Sequence, residues 1–323
     1  MFTAYFLLPT AYCLLCYDPT WEETMAHFET LTYVVDGPLA RVTLNRPERL
    51  NAINRAMPGE IQAAVAEANA DDAVRVIILR GAGRAFCAGY DLDWGTRVES
   101  ESQESARGVW DPVRDLTMMG ANVKAYMSLW DSPKPVIAGI HGYCVGGGTD
   151  LVLCADQIVA TEDVRFGYPP SRVWGTPTTA LWVYRIGLER AKRLLLTGDA
   201  IDGATAAAIG LVGKAVPSDR LDAEVDGLAE RMAHLPANQL IMLKLLVNQT
   251  YENMGLRTTQ IIGTMFDGAA RHTPEGIAWR DLAMREGFRE AVRRRDAPFG
   301  DYGEEKKATS PSLPRRGPGG GAK

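Results

Sequence analysis

The sequence predicts an α/β protein, with a mixed core from about position 26 to 217 and a purely helical region from 218 to 300. Two glycine-bearing turns and one change of pattern predict it. Val76-Ile77-Ile78-Leu79 and Pro135-Val136-Ile137-Ala138-Gly139-Ile140 are short continuous apolar runs, the pattern of strands buried on both faces. Each leaves through glycines, and the second passes through Gly146-Gly147-Gly148 into an apolar helical pattern. Repeated strand-turn-helix units imply right-handed crossovers and hence a layered parallel sheet. After Pro217 the apolar spacing is helical almost without interruption to Val292.

In chain order, residues 1–25 read as an extension with Met25 as the practical start: the run from Met1 to Cys16 is apolar, but it lacks a basic leading segment and is too short to span a membrane. Residues 27–37 and 39–44 alternate as a hairpin around Asp36-Gly37-Pro38. A proline turn then leads to an amphipathic helix ending near Ala70, with Asn51 or Asn54 as its cap. Residues 94–104 are polar and loop-like. Residues 105–130 carry Val109, Val113, Leu116, Met119, Val123, Met127 and Leu129 at helical spacing. That stripe reads as core, and the alternative is an apolar substrate site shaped by Trp94, Trp110, Met118 and Met119. Strands follow at 157–160 and 164–167, with helices at 178–186 and 188–197. Four more helices occupy 224–235, 237–251, 255–270 and 275–294, and residues 301–323, rich in Pro, Gly and basic residues toward the end, read as a disordered tail.

Composition narrows the function. The 323 residues are 46% apolar, enough for a large core, and carry a net charge of −5 without a long basic block in the folded part, so nucleic acid is not an expected partner. Cys13 and Cys16 form a C-x-x-C, but no second Cys or His pair completes a zinc site. Five cysteines, an odd number, fit reduced thiols in a cytoplasmic protein with no expected membrane partner.

A strand that leaves through glycines into a helix presents backbone N–H groups uncovered by any Cβ, and such groups can hold an oxygen anion. The upstream turn, Phe86-Cys87-Ala88-Gly89-Tyr90-Asp91, is a second site of this type, and the two could converge on one oxygen. These residues resemble the F-x-A-G-x-D and G-Y-x-x-G-G-G motifs of the crotonase superfamily, the enoyl-CoA hydratase/isomerase family. The run from Leu195 to Ile201, the later Gly210-Leu211-Val212 and the opening Arg46-Pro47-Glu48-Arg49-Leu50-Asn51-Ala52 are similar to further motifs of the same family.

The resemblance implies a crotonase-type ββα spiral core and a C-terminal helical region that packs homotrimers or homohexamers. It implies an acyl-CoA thioester as substrate, with coenzyme A as part of that substrate and no metal or redox cofactor. Carried over by position, the backbone N–H groups of Tyr90 and Gly147 would hold the enolate oxygen, the Tyr90 ring covering or narrowing the site. Asp150 would be the proton-transferring acid/base, where many family hydratases carry glutamate. Their second glutamate falls at Pro170, which cannot carry a proton. The dienoyl-CoA isomerase branch places an aspartate at the Asp150 position, but its two further acids fall at Pro170 and Thr178. Tyr168, Ser171, Arg172 and Trp174 occupy that loop and could replace the missing function. For coenzyme A, the implied contacts are Arg49 with Arg46, Arg84, Ala88, and Arg294 within the cluster Arg293-Arg294-Arg295; Asp93 stands where many relatives have lysine. Asp91 and His141 read as structural. The expected reaction is enoyl-CoA isomerisation or an atypical hydration. The alternatives are hydrolysis, decarboxylation or carbon–carbon cleavage of a β-oxo acyl-CoA, or a non-catalytic acyl-CoA binder.

Overall fold

The computed structural model describes residues 28–92 and 110–302. Expectations for 1–27, for 93–109 (Asp93, Trp94 and the first turns of the expected helix from 105) and for 303–323 lie outside the described residues.

Strands β1 (Leu31–Asp36) and β2 (Leu39–Leu44) form the expected antiparallel hairpin, with Gly37 at a positive φ of 56° in its turn. Every other pairing in the main sheet is parallel: β2 to β3 (Val76–Gly81), β3 to β4 (Val136–Ile140), β4 to β6 (Gln157–Thr161), and β6 to β8 (Lys214–Val216). The order is β1-β2-β3-β4-β6-β8, with β5 (Tyr143–Val145) and β7 (Arg165–Gly167) paired in a second, two-stranded sheet.

The two-residue period of a strand explains the continuous apolar runs. In β3, Ile77 and Leu79 join the main core, while Val76 and Ile78 join Leu39, Ile137, Val159 and Val216 on the opposite face. Helix α1 (Met57–Ala70) buries Met57, Ile61, Ala64, Val65 and Ala68 into the main core. Helix α2 (Pro112–Asp131) begins where Asp111 caps the amides of Val113 and Arg114 at 3.0 and 3.1 Å. Helix α3 (Gly147–Val152) follows β5 and is wholly buried; α4 (Leu181–Leu195) and α5 (Gly203–Ala208) follow β7. The two expected helices at 178–186 and 188–197 meet at Gly187, whose φ of 75° breaks the helical path of α4. Two turns of the spiral, β4-β5-α3 and β6-β7-α4, thus contribute a strand of the main sheet, a short strand of the second sheet and a helix.

Helices α6 (Leu221–Ala233), α7 (Ala237–Asn253), α8 (Leu256–Arg271), α9 (Pro274–Glu286) and α10 (Phe288–Asp296) follow. Gly287, at φ 88°, splits the single helix expected over 275–294. Helix α6 lies in the helical region by sequence, yet its Leu221, Val225 and Ala229 cover the second face of the sheet. Of the tail expected from 301, the two described residues are held: Asp301 accepts from Arg172 at 2.8 Å and from the Ala200 amide at 3.0 Å, and Tyr302 packs beside the Arg172 guanidinium. Among the described residues, no helix is long and apolar enough to cross a membrane.

Candidate active site

Parallel pairing brings the two glycine exits together. Cys87 donates its amide to the Tyr143 carbonyl at 2.9 Å and accepts the Val145 amide at 3.1 Å, so the segment before Gly89 runs beside β5. On its other side, Ile53 donates to the Gly89 carbonyl and accepts from the Asp91 amide, each at 2.8 Å. In such a bridge the residue between the two bonded peptides turns its own N–H to the opposite edge. For Tyr90 that is the edge of the glycine triplet, since a Cβ on Gly89 (φ 92°) would stand 3.5 Å from the Gly147 nitrogen.

The three glycines have different reasons to lack a side chain. Gly146 has a φ of 55° and backs onto Pro170, whose Cγ would lie 3.3 Å from an added Cβ. A Cβ on Gly147 would meet the Tyr90 ring at 2.7 Å, and one on Gly148 would meet the Cys87 carbonyl at 2.8 Å. Gly147 is also the first residue of α3, so its N–H has no intrahelical acceptor. The Tyr90 ring therefore covers Gly147, and its hydroxyl accepts from Tyr126 of α2 at 3.1 Å.

Asp150, one turn into α3, is fully buried. Its Oδ1 accepts from the Thr179 amide at 3.1 Å and from the Thr179 hydroxyl at 3.0 Å, while Oδ2 has no hydrogen-bond partner. Burial pushes this carboxyl from its ordinary 3.8 up to about 7; the Thr179 bonds and the facing Tyr168 hydroxyl oppose the shift, and the charge of Asp267 adds to it. A carboxyl balanced near neutrality, with one uncommitted oxygen, can both take and return a proton.

Among the expected site residues, Tyr90, Gly147, Asp150 and Ala88 come together, Ala88 being fixed by its amide bond to the Leu50 carbonyl at 3.0 Å. Arg49 is near them but pairs with Asp91 at 3.0 Å, as Arg46 does at 3.0 Å, so Asp91 is structural. Arg84 lines a groove of about 530 Å³ with Arg80, His141 and Asp222. Arg294 pairs with Glu286 and Glu290. In the loop of the missing second acid, Arg172 is enclosed by Asp296 and Asp301, Trp174 packs on Trp279, and the Ser171 hydroxyl donates to the Tyr168 carbonyl at 2.9 Å. Only Tyr168 faces Asp150. Of the aromatic and Met candidates, Met119 is buried and Met118 exposed, while Trp110 stacks on His272 at 4.6 Å.

Two residues take roles that their local sequence does not announce. Asn51, one of the two expected helix caps, has a φ of 55°; its side chain accepts from the Arg46 amide at 2.8 Å and donates to the Ala82 and Ala85 carbonyls at 2.9 and 2.8 Å. It thereby ties the proline turn to the upstream glycine exit, and Asn54 does the capping at the Ala56 and Met57 amides. Asp267 of α8 brings a second carboxylate to the neighbourhood of Asp150.

A ββα spiral with two adjacent glycine exits and a buried acid beside them defines a fold of the crotonase class. Residues 36–278 match the family model described as enoyl-CoA hydratase/isomerase. A crystal structure of an enoyl-CoA hydratase from Mycobacterium smegmatis is similar at a TM-score of 0.81 and 49% identity, covering 85% of this chain and 96% of that one. An enoyl-CoA hydratase/isomerase from Xanthobacter autotrophicus Py2 is similar at 0.74 and 33% identity, over 84% and 99% of the two chains. The chain belongs to the enoyl-CoA hydratase/isomerase family and is an enzyme of that family.

Proposed function

We propose that the enzyme processes an enoyl-CoA through a thioester enolate and moves its double bond with Asp150 as the proton carrier. The observation that carries this reading is the Asp150 carboxyl: buried, balanced near pH 7, and uncommitted at Oδ2. An α-proton of a thioester can be removed only if the developing oxyanion is held. The amides of Tyr90 and Gly147 supply the two donors, each worth roughly 3 kcal/mol of barrier by comparison with other oxyanion holes. One carboxylate that takes a proton at one carbon and returns it two carbons away suffices for isomerisation. Hydration also needs a positioned, activated water, for which Pro170 offers no group. Atypical hydration remains the second reading because Tyr168 faces Asp150. Ala88 and Arg49 carry forward as coenzyme A contacts on their position beside the Tyr90 turn.

The exposed faces of α7 and α8, with Leu246 at 70% exposure and Phe266 at 59%, support a homotrimer or homohexamer in which those faces are covered. The test of the reaction is incubation with a panel of enoyl-CoA and acyl-CoA thioesters in D₂O, read by mass spectrometry, for wild type and Asp150→Ala. Deuterium gained at substrate carbon by wild type alone, without a gain of water, is the expected result. Gain of water assigns hydration. Binding without exchange overturns the catalytic reading in favour of an acyl-CoA binder.

A further inference from the structure

The family's second acid would stand on the loop that here reads Tyr168-Pro169-Pro170-Ser171, and Pro170 leaves that place without a carboxylate. Another element supplies one nearby. A Cβ built on Gly175 would lie 2.8 Å from Asp267 Oδ1, 3.3 Å from the Pro170 Cβ and 3.7 Å from the Tyr168 hydroxyl. Gly175 is thus the gap across which Asp267, Pro170 and Tyr168 face one another. Asp267 is buried and belongs to α8 of the same chain.

The short segment from Gly175 to Thr179 is strung between two carboxylates. Asp150 holds its far end through the amide and hydroxyl of Thr179, and Asp267 Oδ1 accepts the Thr176 amide at 3.3 Å. The Tyr168 hydroxyl donates to the Thr176 carbonyl at 2.7 Å, the Thr176 hydroxyl to the Gly263 carbonyl at 2.8 Å, and the Gln260 amide to the Thr179 carbonyl at 3.1 Å. Helix α8 therefore grips this segment at Gln260, Gly263 and Asp267. Burial pushes the Asp267 carboxyl above its ordinary range, the Arg271 guanidinium paired with it opposes that, and the charge of Asp115 adds to it; Arg271 also binds Asp115 of α2 at 2.5 Å, and the Trp110 indole donates to Asp115 at 3.2 Å.

Besides Thr179, the titratable groups that act on Asp150 come from five directions: Tyr90 after β3, Tyr126 of α2, Tyr168 after β7, Cys154 after α3, and Asp267 of α8. Among them only Asp267 is a carboxylate, and its countercharge Arg271 sits one helical turn further along α8. We propose that Asp267, carried in by α8, is the second carboxylate of this site, a positioning residue that acts on Asp150 through its charge and through the Gly175–Thr179 segment. It takes over from a different part of the chain the place vacated at position 170. The proposal rests on Asp150 being the proton carrier for its consequence in catalysis, and its effect on Asp150 can be read without turnover.

Two measurements on the full-length protein test it. The first is the pH dependence of the thermal midpoint for wild type, Asp150→Asn, Asp267→Asn and the double variant. If Asp267 acts on Asp150, Asp267→Asn flattens the fall of stability between pH 5 and 8 when Asp150 is present and has a smaller effect when it is absent. Equal effects in the two backgrounds overturn the proposal whether or not the protein is an isomerase. The second is the pH profile of substrate deuterium exchange. Removing the negative neighbour lets Asp150 ionise more readily, so Asp267→Asn moves the rising limb down by at least about half a pH unit, while Asp267→Glu restores it. Asp267→Thr serves as a second neutral variant should the amide not fold. An unmoved limb, with Asp150→Asn inactive, overturns the role of Asp267 and leaves the proposed function intact. Full exchange by Asp150→Asn overturns the proposed function instead.

Discussion

Replacing Asp150 by asparagine should abolish proton transfer and, relative to wild type, make the protein progressively more stable as pH rises. The carboxyl ionises near 3.8 in an unfolded chain but at about 7 in its buried position. Between those values the folded state binds more protons than the unfolded state, so stability falls as pH rises through this window and levels off above it. A displacement of about three units corresponds to roughly 4 kcal/mol of lost stability at pH 8. Asparagine avoids this charge cost. Its oxygen can still accept from Thr179, while its amide N–H groups at the Oδ2 position lack an acceptor, a pH-independent cost of about 1–3 kcal/mol. The amide cost cancels when variant minus wild type is compared at two pH values. From pH 5 to pH 8 the relative gain of the variant should be about 3 kcal/mol, or several degrees in thermal midpoint. Thermal unfolding at both pH values, beside an exchange assay, checks both halves. A stability difference that does not change with pH would refute the argument that this carboxyl is held neutral by burial.

Three further outcomes follow from the packing. Gly147→Ala drives a Cβ into the Tyr90 ring, so it should cost about 1–3 kcal/mol and most of the exchange activity; in a Tyr90→Ala background the stability cost should shrink, which a double-mutant cycle measures. Asn51→Ala removes three hydrogen bonds and places a residue with a Cβ but no polar side chain at φ 55°, and should cost roughly 3 kcal/mol in urea unfolding. Leu246→Glu combined with Phe266→Glu should lower the assembly state seen by light scattering while circular dichroism shows the helices kept, because both side chains are exposed in the single chain.

The parts of this protein that were legible in its sequence are those set by local pattern. Continuous apolar runs marked β3 and β4, and the glycine triplet marked the entry to α3, because a bare backbone is what close approach to Pro170, Tyr90 and Cys87 requires. Gly187 was legible as a break for the same reason of backbone freedom. Long-range pairing was not legible. The pairing of Arg46 and Arg49 with Asp91 is of this kind, although an acid directly after the upstream glycine turn was a signal for it. Asp267 and Arg271 are spaced as an i,i+4 pair, which on a helix ordinarily reads as a solvated surface pair. Nothing near Asp267 in sequence shows that α8 folds back over the segment before α4. Helix α6 carries the same periodicity as its successors, so its place on the sheet follows from topology rather than from composition.

The most direct test of a single-carboxylate shuttle follows the proton itself. A 3-enoyl-CoA deuterated at its α-carbon would be converted in ordinary water, and the label located in the product by NMR. Because Asp150 is fully buried, part of the deuterium it takes from the α-carbon should return to the γ-carbon before it exchanges with solvent, and Asp150→Asn should give no product. Isomerisation by Asp150→Asn at the wild-type rate would contradict the assignment of Asp150 as the carrier.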